Sequence, residues 1–159
     1  MSTMVNLTYQ EWDEPSRRVV RTLHASSMFA EDLFVRKLVN GTVIRNSLYH
    51  HTSHESEDEQ RHFVYAALFR SSDLELYGAH VQDVLFERCD RAARLEAEFL
   101  FWHSGRFEHG EPLYRLYRPL EIAQLLLDHY FVQQGTTYES LYTAYDDDRN
   151  KVIFFLKEV

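Results

Sequence analysis

The stretch YHHTSHESEDEQRHF, residues 49–63, concentrates the side chains of this chain that are best suited to chemistry. Four of its nine histidines, His50, His51, His54 and His62, fall inside it, and Glu55, Glu57, Asp58 and Glu59 stand between them. Imidazole and carboxylate together are ligands for a transition metal such as zinc, which needs three or four of them in tetrahedral reach. His50, His54, Glu59 and His62 supply that set if the segment folds back on itself. On a helix, Glu59 and His62 would share a face as half of a Glu-x-x-His carboxylate pattern, but the sequence has no second copy on another helix and no His-Glu-x-x-His. Histidines beside acids also titrate near neutrality, which suits a pH response. The plainest reading is an acidic, solvated loop.

Two other places hold reactive side chains. The segment 103–111, HSGRFEHGE, carries His103, Glu108, His109 and Glu111, an acid–base set for a small hydrolase-type enzyme if one loop brings them together. The single cysteine, Cys89, lies in an apolar stripe and reads as a small buried residue rather than a nucleophile. A Gly-rich phosphate loop and a Gly-x-Ser-x-Gly elbow are both missing, and glycine is scarce, with five in the chain. These weaknesses make a non-enzymatic protein without a cofactor the leading expectation, with a metal such as zinc as the alternative.

Charge points to partners. The formal net charge is −8 and the sequence pI is about 5.5, which disfavours direct binding to nucleic acid or to an anionic membrane and allows attraction of a basic protein. Acids cluster at 55–59 and again at Asp146, Asp147 and Asp148, and Tyr138, Tyr142 and Tyr145 lead into the second cluster. Rigid aromatic area beside carboxylates suits recognition of an Arg- or Lys-rich surface. The expectation is an acidic binding protein of inhibitor or immunity type that occludes a basic face, such as that of a nuclease. Its docking residues would be Glu55, Glu57, Asp58, Glu59, Tyr138, Tyr142, Tyr145, Asp146, Asp147 and Asp148. Homo-oligomerisation stays open. With no basic start followed by an apolar run, the expected location is the cytoplasm.

Elements must position these groups. The chain is long enough for one domain, 1–159, with one core. Residues 80–103 place Val81, Leu85, Cys89, Ala92, Leu95, Phe99 and Trp102 at steps of three or four, predicting a long amphipathic helix. Further helices are predicted from Pro15, over 27–39 with a stop at Gly41, and over 119–134 as the central buried helix with a stop at Gly135. Residues 42–50, 113–118 and 151–159 read as strands. Residues 61–69 and 136–145 each fit a helix begun by a capping box, at Ser56–Glu59 and Thr136–Glu139, or a hairpin strand; for 61–69 the strand is preferred. No repeat is visible. The expected fold is α+β: about four helices packed on a small, mostly antiparallel sheet.

Overall fold

A computed structural model describes residues 3–116 and 118–159. It replaces the four-helix expectation with a ten-stranded mixed sheet and three short helices. The order along the chain is β1 (Met4–Asp13), β2 (Arg18–Phe29), α1 (Ala30–Leu38), β3 (Gly41–Ile44), β4 (Ser47–Glu57), β5 (Arg61–Leu68), a 3-10 turn (Ser71–Asp73), α2 (Gly78–Leu85), β6 (Glu96–His103), β7 (Arg106–His109), α3 (Pro119–Leu126), β8 (Tyr130–Gln133), β9 (Thr136–Asp146) and β10 (Lys151–Glu158). The strands lie in the order β2-β1-β5-β4-β3-β9-β10-β6-β7, with β8 also paired to β9.

That order contains the same unit twice. Each half runs strand, strand, helix, strand, strand, strand, with its first and last strands parallel neighbours. Ala30, Gly41 and Ser47 begin α1, β3 and β4, and the residues 89 further on, Pro119, Tyr130 and Thr136, begin α3, β8 and β9. In the parallel pairs, Asn6 opposes Arg61 and Glu96 opposes Lys151, each 90 further on. Both units even skip one residue at the same place: the ladder passes over Thr52 between β4 and β5, and over Leu141 between β9 and β10. The two tryptophans, Trp12 and Trp102, are equivalent in this register. So few other residues agree that the sequence shows no repeat; the repeat is one of element order, register and bulge position.

Turn chemistry explains most of the missed elements. Arg45–Asn46, Ser104–Gly105 and Gln134–Gly135 all hold both central residues at positive φ, the two-residue geometry that closes hairpins of right-twisted strands. Ser104–Gly105 therefore joins two strands, and 103–111 is a hairpin rather than a loop. Gly135 closes the β8–β9 hairpin instead of stopping a helix, so the expected helix over 119–134 ends after two turns, with Ile122 and Ala123 its buried residues. At Pro15 there is no helix: the Asp13 carboxylate accepts from the Ser16 N–H and hydroxyl and pins the β1–β2 turn. The helix expected over 80–103 splits. Val81, Val84 and Leu85 stay helical and buried, residues 86–95 are irregular, and Glu96–His103 is a strand, because Phe99, Leu100, Phe101 and Trp102 can each face a packed layer between β10 and β7. Leu113–Leu116 form no strand, and Tyr117 lies outside the described residues.

Helices α1 and α3 pack together on one side of the sheet, and α2 lies on the other. Under α1, a core of Val5, Leu7, Tyr9, Leu33, Ile44, Tyr49, Val64 and Ala66 fills the first unit. Under α3, Phe99, Ile122, Phe131, Val152, Phe154 and Leu156 fill the second, and Val35 of α1 and Val39 just after it reach across to join it. Helix α2 closes a third cluster with Leu100, Phe107, Tyr142, Ile153 and Phe155.

The break at residue 86 leaves Cys89 exposed, against the buried placement read from the stripe. A thiol reagent should therefore modify the folded protein stoichiometrically, without prior unfolding. Labelling of native protein at the rate of a denatured control, followed by mass spectrometry, checks this.

Candidate functional site

Residues 49–63 form two antiparallel strands and a tight turn, so the histidines are sorted by the pleat rather than gathered by a loop. His50 faces α2: its Nδ1 lies 3.0 Å from the Tyr142 hydroxyl and its ring stacks on Tyr142 at 5.9 Å. His51 faces α1. The bulge at Thr52 shifts the alternation, so the next residue on that side is His54, whose Nε2 is 3.3 Å from His51 Nδ1. His62, on β5, lies on the α1 side too, with Lys37 Nζ 2.9 Å from its Nδ1. The set His50, His54, Glu59 and His62 is thus divided between two faces, and an ammonium sits among the histidines on one of them. Among the described residues no group of three or more His, Cys, Asp or Glu side chains is placed to hold a metal ion.

The α1-side histidines run inward as a polar column. His51 Nε2 is 2.7 Å from Thr42 Oγ1, and Thr42 is fully buried. His51 reaches solvent at its edge, but its nitrogens lie deep. Burial, reinforced by His54 and His50, pushes its pKa down to about 3, so the ring is neutral. Burial and then Lys37 lower His54, and burial lowers Lys37 itself. Below Thr42 the Tyr9 hydroxyl is buried without an aligned partner, and burial raises its pKa.

The second acidic cluster is a joint. Asp146 is 1% exposed at its side chain; its carboxylate accepts from the N–H groups of Asp148 and Arg149 and pairs with the Arg149 guanidinium at 2.9 Å. The Asp148 carboxylate accepts from the N–H groups of Arg45 and Asn46, and Asp147 lies 3.5 Å from His24. Tyr142 and Tyr145 are buried, Tyr145 with its hydroxyl between Arg36 and Asn150, and burial pushes its pKa up to about 12. Tyr138 is half-buried against Phe101. Tyr142, Tyr145 and Asp146 are therefore held inside the molecule, where a partner cannot reach them.

The first cluster has the opposite character. Glu55, Glu57, Asp58 and Glu59 are all exposed at the end of the β4–β5 hairpin, with Asp58 and Glu59 at positive φ in its turn. Arg61 pairs with Glu57 and Asp58. Beside them, on the face opposite α1, Tyr65 donates its hydroxyl to Glu55 at 3.1 Å and stacks with Phe63, and Trp12 meets Tyr65 edge-on at 5.8 Å. Sequence reading missed this row. The signal was there in the alternation of Phe63 and Tyr65, but Trp12 joins it only through the parallel pairing of β1 and β5.

In the hairpin 103–111, His103, Glu108 and Glu111 are exposed. His109 lies against residues distant in sequence: Nδ1 is 2.7 Å from Glu98 and Nε2 3.9 Å from Glu87, without hydrogen-bond alignment. Lys151, 7% exposed at its side chain, bridges Asp90 at 2.8 Å and Glu98 at 3.8 Å. Asp90, Glu98, His109, Glu111 and Lys151 border an open cavity of about 550 Å³.

Asp146→Ala leaves the Arg149 charge buried and unpaired and should cost about 3 kcal/mol in chemical denaturation. His51 has a folded pKa below its unfolded value, so the unfolded chain takes up the proton first. Stability should be full above about pH 6.5 and fall by up to about 1.4 kcal/mol per pH unit toward pH 3. Equilibrium unfolding across that range should show the slope, reduced in His51→Gln.

No helix of the described structure is long and apolar enough to cross a membrane. No family model, no curated protein and no solved structure matches the chain.

Proposed function

We propose that this is an acidic cytoplasmic binding protein that occludes a basic surface of a protein partner, such as the nucleic-acid-binding face of a nuclease. The observation that carries the reading is the β4–β5 hairpin end: Glu55, Glu57, Asp58 and Glu59 all reach solvent, and Arg61 is the cation paired to that group, through Glu57 and Asp58. Carboxylates left exposed in a row on a net −8 chain create a field that steers a cationic partner. The contact surface narrows from both acidic clusters to the first, since the second is consumed in joining the two units.

The test is affinity capture from lysate with wild type and with a variant carrying Glu55→Gln, Glu57→Gln, Asp58→Asn and Glu59→Gln. A specific basic partner should be held at roughly 50 mM salt and released at roughly 500 mM, where the screening length falls from ~14 Å to ~4 Å. The variant should lose it at both. Capture that is indifferent to salt and to these substitutions would reject the reading.

A further inference from the structure

The duplicated units differ in one large respect. In the second, the sheet face opposite α3 is covered: Tyr77 and His80, at the start of α2, each meet Trp102 at 4.9 Å, and Val81, Val84 and Leu85 pack beside Leu100, Phe107, Ile153 and Phe155. In the first, the equivalent face carries Trp12 where Trp102 stands, Gln10 for Leu100, Phe63 for Ile153 and Tyr65 for Phe155. Among the described residues, no helix lies over it. Trp12, Phe63 and Tyr65 are half-buried by one another, with the β-face around them made of Asn6, Thr8, Gln10 and Ser53.

The geometry points to this bare face as the docking site for a short amphipathic helix of the protein's partner, seated as α2 is seated on the second unit. The inference rests on the proposed function and deepens it. The internal copy shows what fits such a face: two turns of helix that set aromatic rings edge-on to the tryptophan and aliphatic side chains over the central strands. The substitutions between the copies say how the guest differs from α2. Glu55 and Glu57 lie on this face, Glu55 bonded to Tyr65, and Glu14 accepts from the Trp12 indole N–H at 2.7 Å. The second unit has Ala144 and the buried Asp146 at the positions of Glu55 and Glu57. A guest helix therefore carries apolar or aromatic residues toward Trp12 and Tyr65, and Arg or Lys at its margin toward Glu14, Glu55 and Glu57, where cations meet both carboxylates and ring faces. Polar Thr8 and Gln10 under its middle keep the face soluble while it is empty.

Titration of ¹⁵N-labelled protein with a synthetic amphipathic helix, aromatic and leucine residues on one face and Arg and Lys on the other, tests this with a defined probe. The expected result is shifts of the Trp12 indole N–H and of the amides of Thr8, Gln10, Phe63 and Tyr65, with affinity at least about tenfold weaker in Trp12→Ala. Because Trp12→Ala could loosen the β1–β2 hairpin, Gln10→Lys is the second variant; it places a cation under the apolar side of a cationic guest and should weaken binding while leaving the free spectrum unchanged elsewhere. Shifts confined to residues 55–61 would overturn the helix site and leave the acidic binding function standing. No shifts with any cationic probe would count against both. Concentration-dependent shifts of the same face in protein alone would assign it to a second copy of this chain and overturn the partner-helix inference.

Discussion

The structure hangs on a three-residue seam. Gly41, Thr42 and Val43 of β3 pair in parallel with Ala144, Tyr145 and Asp146 of β9, and through this contact two five-stranded units become one sheet. So short a ladder cannot hold by its own hydrogen bonds, each worth about 1 kcal/mol net. It is locked from both ends by side chains. At one, the Asn40 carboxamide accepts from the N–H and hydroxyl of Thr143, and the Asn40 N–H donates back to Thr143. At the other, Asp148 clamps the β3–β4 turn, the Asp147 N–H donates to Val43 O, and Arg149 reaches from Asp146 to Asn46. Gly41 is required within the seam, since a Cβ there would run into the Tyr142 hydroxyl and the Tyr49 carbonyl.

This constraint decides which polar residues remain free to bind. Aspartates 146–148 look like an acidic patch, yet the Asp146 carboxylate is buried with two N–H donors and the Arg149 guanidinium, and the Asp148 carboxylate is tied to the N–H groups of the β3–β4 turn. The hairpin carboxylates 55–59 have no such duty and stay in water. The same seam makes the sheet continuous, so one helix, α1, can serve two cores, with Leu33 in the first and Val35 in the second. Helix α2 belongs to the connection between the units, residues 69–95, and that connection folds over the second unit. The first is left bare on that side. Two similar units with one cover between them are the physical origin of the exposed aromatic row.

The alternation of the strand also dissolves the histidine cluster. Neighbours in sequence point to opposite faces, and one bulge then reunites His51 with His54. A column of histidines running into a buried threonine, with the His51 ring neutral, is a polar core held by hydrogen bonds, at the cost of acid sensitivity.

Some of this was written in the sequence. Apolar β-formers flanked by charges make residues 151–158 a strand, the alternation of 61–68 pairs it with β4, and the Ala30–Leu38 helix has its apolar spacing and charged ends in local order. The acidity of 55–59 and its exposure also followed from composition, because four consecutive or near-consecutive carboxylates resist burial without partners. The rest needed the fold. The stripe over 80–103 satisfies a helical period and a strand period alike, and only the parallel partner β10 on one side and β7 on the other made Glu96–His103 extended. The buried state of Tyr142, Tyr145 and Asp146 depends on β3 lying beside β9, a contact between residues about a hundred positions apart. The structural repeat was invisible because a register is kept by hydrogen bonds and turn angles, which many side chains satisfy, whereas the residues at equivalent positions differ where one face is covered by α2 and the other is left to water.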